Sequence, residues 1–334
     1  MFRKSTIDLN HILCQYHHQT VNPEPLFTMK LERMLEKARA LAGPFRVTDG
    51  ESFRLRDYNS DYTLNFKKNE RKSGKRKAAK LLKLALRMMR EQHEKLYAEG
   101  KQGLVIIFQA LDAGGKDSAI KHVMSGVNPQ GCQVHPFKAP SAEELGWDFL
   151  RRCAMHLPKR GQIGIFNRSY YEETLVVRVH PEILAGQKLP ASVISNKIWK
   201  QRFQDIRAFE RYLTHQGFTV IKFFLNVSKK EQKRRFLDRI EIPKKNWKFS
   251  ASDIHERCFW NKYQKSFEDM IRHTAHKRAP WYVVPADRKW FTRLIVASVI
   301  IDTLRRMNPE YPEVDAKGRK ALLAAFHGDG RKKK

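Results

Sequence analysis

An α/β fold built on a parallel sheet, with helices covering both faces, is predicted by three observations. Short apolar runs of strand length alternate along the chain with segments whose apolar residues recur at helical spacing. One apolar run passes through a glycine-rich turn directly into a helix, the connection a parallel sheet uses. Of the 334 residues 41% are hydrophobic, enough for a sizeable buried core. No apolar run approaches the roughly 20 residues of a membrane span.

Residues 1–75 are polar and irregular, with a turn-like Asp57-Tyr58-Asn59-Ser60-Asp61 and a basic run at 67–72. They are expected to form an N-terminal extension wrapping the core. Over 76–97, Leu81, Leu82, Leu84, Ala85, Met88, Met89 and Leu96 recur at helical spacing and predict a long amphipathic helix with a basic outer face. The wholly apolar 104–108 predicts a strand, followed by the glycine-rich turn and a helix from about Lys116. Further strands are predicted at 132–137, 161–166, 219–225 and 281–284. Helices are predicted at 141–157, 195–215, 229–240, 252–274 and 289–306. The core therefore spans 76–308, with a lid at about 180–215 and a C-terminal tail at 309–334 that is expected to fray at its basic end, 330–334.

Charge narrows the partners. Lys and Arg number 65 against 35 acids, a formal net charge of +30. Such an excess favours polyanions, and nucleic acid, anionic membrane and polyphosphate all qualify. The four cysteines, Cys14, Cys132, Cys153 and Cys258, form no close pair and read as reduced thiols. Cys14 near His11, His17 and His18 is a weak metal suggestion. The start, Met1-Phe2-Arg3-Lys4, has no apolar signal core, so a cytoplasmic protein is expected.

The turn after the first long strand, Asp112-Ala113-Gly114-Gly115-Lys116-Asp117, is a device for holding phosphate. Glycines let backbone N–H groups curl around phosphate oxygens, and the helix N-terminus adds its positive end. The lysine reaches the phosphates. The loop departs from the usual G-x-x-x-x-G-K-[ST] pattern, with Ala110 at the first glycine and Asp117 at the Ser/Thr. Two carboxylates beside the lysine would repel phosphate without a cation between them, which predicts Mg²⁺, with Mn²⁺ as a substitute, on Asp112 and Asp117. Ala113, Gly114, Gly115 and Ser118 complete the expected phosphate and nucleotide contacts. At the end of a second strand, Asn167 and Arg168 meet the same sheet edge, Arg168 to clamp a phosphoryl group and Glu172 to supply a further metal-binding charge.

In the helix expected at 195–215, Lys197, Lys200, Gln204, Arg207 and Arg211 share one face, and Trp199, Phe203, Ile206 and Leu213 lie roughly opposite. A cationic face of this kind predicts a lid lining a polyanion track, with Arg202 at its edge reaching inward and a hinge around Gly186. An ATP-dependent nucleotide kinase and a basic nucleic-acid-binding protein with an inactive loop are the alternative readings at this point.

From about Asp57 to Arg306 the chain resembles the polyphosphate kinase 2 family, and its class III members in particular. The resemblance rests on residues 108–117, on Ser125-Gly126-Val127-Asn128-Pro129-Gln130-Gly131, Phe137-Lys138-Ala139-Pro140 and Gly164-Ile165-Phe166-Asn167-Arg168-Ser169. It continues through Val176-Val177-Arg178-Val179-His180 and 279–287. It implies a three-layer α/β/α P-loop kinase core with a helical lid, and Mg²⁺-dependent, reversible phosphoryl transfer between inorganic polyphosphate and AMP or ADP, up to ATP. Asp112, Lys116 and Arg168 match the family's phosphate-handling positions, and Asn167 and Glu172 match the class III variant. Lys138, Arg178, Lys200, Arg202 and Arg207 would hold the phosphate chain. A homo-oligomer, dimer or tetramer, is implied by analogy, with neither nucleic acid nor membrane as a partner. Departures from the pattern fall at Ser118, Gly114, Gly146-Trp147, Arg151 and Tyr170, none of which removes a phosphate-handling residue.

Overall fold

The computed structural model describes residues 36, 38–64 and 71–329. The Cys14 and histidine group, most of the basic run at 67–72 and the basic end at 330–334 lie outside them. Six strands form one sheet: β1 (Arg46–Val47), β2 (Gly103–Gln109), β3 (Cys132–Pro136), β4 (Ile163–Asn167), β5 (Phe218–Asn226) and β6 (Trp281–Pro285). Their order is β1-β6-β5-β2-β4-β3. The β2, β3, β4, β5 and β6 pairings are all parallel, and β1 joins β6 antiparallel.

The described helices are α1 (Arg71–Glu99), α2 (Lys116–Val123), α3 (Arg151–Ala154), α4 (Val176–Val179), α5 (Pro181–Ala185), α6 (Ile198–His215), α7 (Lys229–Glu241), α8 (Ala251–Glu256), α9 (Trp260–Thr274), α10 (Lys289–Met307) and α11 (Ala316–Asp329). No helix among the described residues is long and apolar enough to cross a membrane.

The period of two in the strands divides the core. On β2, Leu104, Ile106 and Phe108 join the cluster beneath α1 and α10, while Val105 and Ile107 join the cluster beneath α6 and α9. On β5, Ile221, Phe223 and Leu225 face the first cluster and Val220 and Phe224 the second. Both faces are thus apolar, which is why these strands read as continuous hydrophobic runs. Each such fully buried side chain stabilises the fold by about 1.5–3 kcal/mol, and truncating Ile106 to alanine would cost about 2–5 kcal/mol.

Three differences from the sequence reading have local causes. The helix expected over 141–157 is a short 3-10 turn at Glu144–Gly146 followed by the four-residue α3. Asp148 Oδ1 accepts from the backbone N–H groups of Leu150 and Arg151, and Ser141 and Glu144 cap one another, so local side-chain bonds replace a continuous helix. The helix expected over 252–274 is divided into α8 and α9 by a 3-10 turn at Arg257–Phe259. In the tail, α11 carries the exposed Leu322, Leu323 and Phe326.

The described part of the segment before α1 makes bonds to β5, β6 and α9. Besides the β1–β6 pairing, Leu55 N–H donates to Glu268 Oε2 at 2.8 Å, and Asn226 Nδ2 donates to the Tyr58 carbonyl at 2.7 Å. Of the expected lid at about 180–215, the part from Ile198 onward is α6, whose Phe203, Ile206 and Leu213 are buried against the sheet.

Candidate active site

Strands β2 and β4 are neighbours and end at the same edge of the sheet. That register delivers the glycine-rich loop after β2 beside Arg168 after β4. The loop closes on itself through Gly114 N–H, which donates to the Leu111 carbonyl at 2.9 Å. A Cβ on Gly114 would lie 2.6 Å from Ala110 Cβ and 2.7 Å from the Leu111 carbonyl oxygen, so a side chain does not fit there. Gly115 caps α2 with φ of 104°, and Ala113 at 58° and Arg168 at 67° adopt the left-handed region without being glycine. Non-glycine residues held there carry backbone strain, and here two of them face one another across the site.

The charged groups form a single arrangement. Buried Lys116 donates from Nζ to the Ala110 carbonyl at 2.8 Å, spanning the loop. Arg168 forks: one nitrogen lies 2.6 Å from Asp112 Oδ1 and the other 3.5 Å from Glu172 Oε2. Burial would raise the Asp112 carboxyl, but Lys116, Arg168 and Arg239 outweigh it and hold it below the usual aspartate range. Burial pushes Glu172 up, against the opposing pull of Arg168 and Lys116. Burial, with Arg168 adding to it, lowers Lys116, while Asp112, Glu172 and Asp117 pull the other way. Asp117 is largely exposed and accepts from Asn167 Nδ2 at 2.8 Å, with Lys248 Nζ 3.9 Å away.

Two residues that the sequence reading missed hold the loop from behind. Gln232 on α7 donates to the Asp112 carbonyl at 2.9 Å. Arg235, also on α7 and buried, donates to the Ala113 and Gly114 carbonyls at 2.9 Å each, and to the Ala286 carbonyl. These bonds hold the Asp112, Ala113 and Gly114 carbonyls against α7. A cation inside the apolar spacing of 229–240 was the available signal.

The expected polyphosphate residues divide. Lys138, Lys200 and Arg207 are exposed. Arg178 is 2.7 Å from Asp269. Arg202 does reach inward, but its partners are the Glu173 carboxylate at 3.1 Å, the Glu173 carbonyl and Gln187 Oε1, within the protein. A cation enclosed in this way braces the turn at Tyr170–Thr174 and has no free face for a ligand.

A cleft of about 490 Å³, open to solvent, runs between Asp112, Arg168 and Glu172 on one wall and Asp253, Arg257 and Tyr263 on the other. Among the described residues no three His, Cys, Asp or Glu side chains converge as a metal cage. Mg²⁺ seldom uses such a cage, because it keeps several waters and takes one or two carboxylates plus substrate phosphates. Asp112, with Oδ2 outside the Arg168 bond, suits that role, and Asn167, which donates to Asp117, has its buried Oδ1 without a hydrogen-bond partner.

Comparison with known proteins gives the same picture. Residues 70–312 match the family model described as polyphosphate kinase 2. The ADP-polyphosphate phosphotransferase of Rhodopseudomonas palustris is 45% identical over 280 residues, covering 84% of this chain and 95% of the relative. The AMP/ADP-polyphosphate phosphotransferase of Meiothermus ruber is 37% identical over 279 residues, covering 84% and 98%. The crystal structure of polyphosphate kinase 2 from Arthrobacter aurescens TC1 superposes with a TM-score of 0.75 at 34% identity, covering 85% of this chain and 96% of that one. With residues 70–312 matching the family model and these relatives covered over nearly their whole length, the chain belongs to the polyphosphate kinase 2 family.

Proposed function

We propose that this chain transfers a phosphoryl group reversibly between inorganic polyphosphate and nucleoside phosphates, AMP to ADP and ADP to ATP, with Mg²⁺. The observation that carries the reading is the Arg168 fork, which ties Asp112 of the phosphate loop to Glu172. The names of the Rhodopseudomonas palustris and Meiothermus ruber relatives support polyphosphate with ADP and AMP as the substrates.

The acceptor is a phosphate oxygen, already anionic near neutral pH, so no side chain has to remove a proton. That oxygen attacks the terminal phosphorus of the donor, the P–O bond to the rest of the chain breaks, and the shortened chain leaves as an anion. Catalysis then consists of positioning and charge neutralisation. The loop N–H groups hold the phosphoryl oxygens, and Lys116 exchanges the Ala110 carbonyl for them. Arg168, fixed by Asp112 and Glu172, presents its charge where the transferring group becomes planar. Asp112, with Asp117 and Glu172 near it, would hold Mg²⁺, or Mn²⁺ in its place, which neutralises phosphate charge when bound.

Incubation with AMP or ADP, long-chain polyphosphate and Mg²⁺, followed by chromatography of the nucleotides, tests the reading. ADP and ATP are expected from wild type and a loss of at least 100-fold from Lys116→Ala. No nucleotide product from wild type would sink the proposal, as would an unchanged rate in Lys116→Ala. Activity with ATP and AMP but none with polyphosphate would favour an ATP-dependent kinase.

A further inference from the structure

The arginines of α7 and Lys245 are each matched by an acid near the loop. Arg235 is 2.8 Å from Glu231, Arg234 2.7 Å from Glu231, Lys245 3.2 Å from Asp238 and Arg239 2.9 Å from Asp253. Lys289 and Arg293, one turn apart at the start of α10, have no carboxylate within ion-pair distance among the described residues. Arg293 donates to Ser118 Oγ at 2.9 Å, and its Nε is buried with no hydrogen-bond partner. Burial lowers Lys289, and Arg235, Lys245, Arg234 and Arg293 around it lower it further. Asp238 also acts on Lys289 but is already shared by Arg234 and Lys245, so cations outnumber acids here and an arriving anion would be favoured.

We infer that Lys289 and Arg293 form, with Ser118, a phosphate-binding notch that grips the polyphosphate chain beyond the loop. The inference rests on the phosphotransfer reading above. Placement separates the notch from the cleft. The cleft meets the first half of the loop at Ala110, Leu111 and Asp112. The notch flanks its second half, where Arg235 holds the Ala113 and Gly114 carbonyls and Arg293 touches Ser118. The cleft presents Asp253 and Glu256 beside Trp260 and Tyr263, a lining that suits ribose hydroxyls and a base and repels a long polyanion. The notch is the reverse: its cations outnumber its acids, and Asp238, which acts on Lys289, is already shared by Arg234 and Lys245. Donor and acceptor phosphates would then meet at Lys116 from opposite ends of the loop, as in-line transfer requires.

The test measures direct binding of long-chain polyphosphate, without nucleotide, to wild type, Lys289→Ala, Arg293→Ala and the double variant. Arg207→Ala, on the exposed face of α6, gives the comparison. Each notch variant is expected to weaken binding about 3–10-fold, and the double variant about 10–100-fold, at unchanged thermal stability. The slope of log affinity against log salt should become shallower by about 1–2, because each phosphate contact contributes a little under one unit. In the transfer assay KM for polyphosphate should rise in parallel while KM for AMP and ADP stays within about twofold. Unchanged polyphosphate binding in the double variant overturns the inference. So does a loss confined to Arg207→Ala, or a raised KM for the nucleotide alone. If wild type transfers nothing, the phosphotransfer reading fails, and the binding arm still decides the notch.

Discussion

Replacing Lys222 with methionine should damage the protein more than any surface substitution, and the damage should depend on pH. Lys222 lies within the apolar run of β5 with its side chain fully buried, 2.6 Å from the equally buried Glu210. Its three N–H bonds are satisfied by Glu210, the Tyr171 hydroxyl at 3.1 Å and the Thr274 carbonyl at 2.9 Å. Glu210 in turn accepts from Tyr170 at 3.1 Å and Tyr171 at 2.7 Å. Losing one partner leaves a buried carboxylate with two tyrosine donors and His276 3.6 Å away, a cost of about 3–5 kcal/mol. In the native protein burial would raise the Glu210 carboxyl, but Lys222 and the hydrogen bonds of His276, Lys222 and Tyr171 bring it below the usual glutamate value. Its contribution is therefore present above the unfolded pKa of about 4.3 and lost as pH falls. In Lys222→Met burial is no longer opposed by a cation, and the carboxyl rises above its unfolded value. The penalty is then small in acid and grows as pH rises through the new folded pKa. Urea unfolding at pH 5 and pH 8 should show a larger deficit at pH 8, and adding Glu210→Gln should recover at least half of it. A single-variant cost under about 1 kcal/mol, or a deficit larger at pH 5, would refute the reasoning. Since Tyr170 and Tyr171 start the turn that carries Glu172 and follows Arg168, kcat should fall as well.

Arg168→Lys keeps the charge but not the fork between Asp112 and Glu172, and is expected to lower kcat by about 10²–10³-fold at similar nucleotide KM in steady-state assays. Gly114→Ala forces a methyl onto Ala110 Cβ at 2.6 Å and the Leu111 carbonyl oxygen at 2.7 Å, so phosphate binding should weaken at least tenfold and urea stability fall by about 1–3 kcal/mol. The Asp112 carboxyl lies below its usual range, so it stays ionised across working pH, and the acid limb of the kcat profile should follow substrate phosphate near pH 6. Asp112→Asn should lower the whole profile without moving that limb, and a displaced limb would show that Asp112 titrates in the reaction.

The sheet was readable because both its faces are buried, which turns β2, β5 and β6 into apolar runs bounded by turns. The phosphate loop was readable because its backbone shape demands small residues at fixed places, as the space around Gly114 demonstrates. Strand β1 escaped because two residues carry no period, and its pairing is decided by β6, distant in sequence. The short elements at 144–154 escaped because apolar spacing does not register the Asp148 turn that interrupts it. At the site, sequence identified Asp112, Lys116 and Arg168 as charges but could not distinguish a cation that meets ligand from one already matched inside the fold. Arg202 is the example, since its helical position pointed inward and only the packing reveals Glu173 there. Lys222 offered a clue that went unused: one lysine inside an apolar strand needs a buried acid to accompany it.

The stitching of the early segment to the far end of the chain has a consequence for synthesis. Leu55 and Ser60 take partners 213 and 227 residues later, and Arg46 pairs with Tyr282. During translation the central strands can assemble while β6 is still inside the ribosome, whereas β1 has no strand to pair with until β6 emerges. The free edge of β6 and the unfilled edge of β1 then meet as a late closing step of high contact order. A ribosome stalled before residue 281 should leave β1 unpaired, and limited proteolysis would cut near residues 46–47 more readily there than in the full chain.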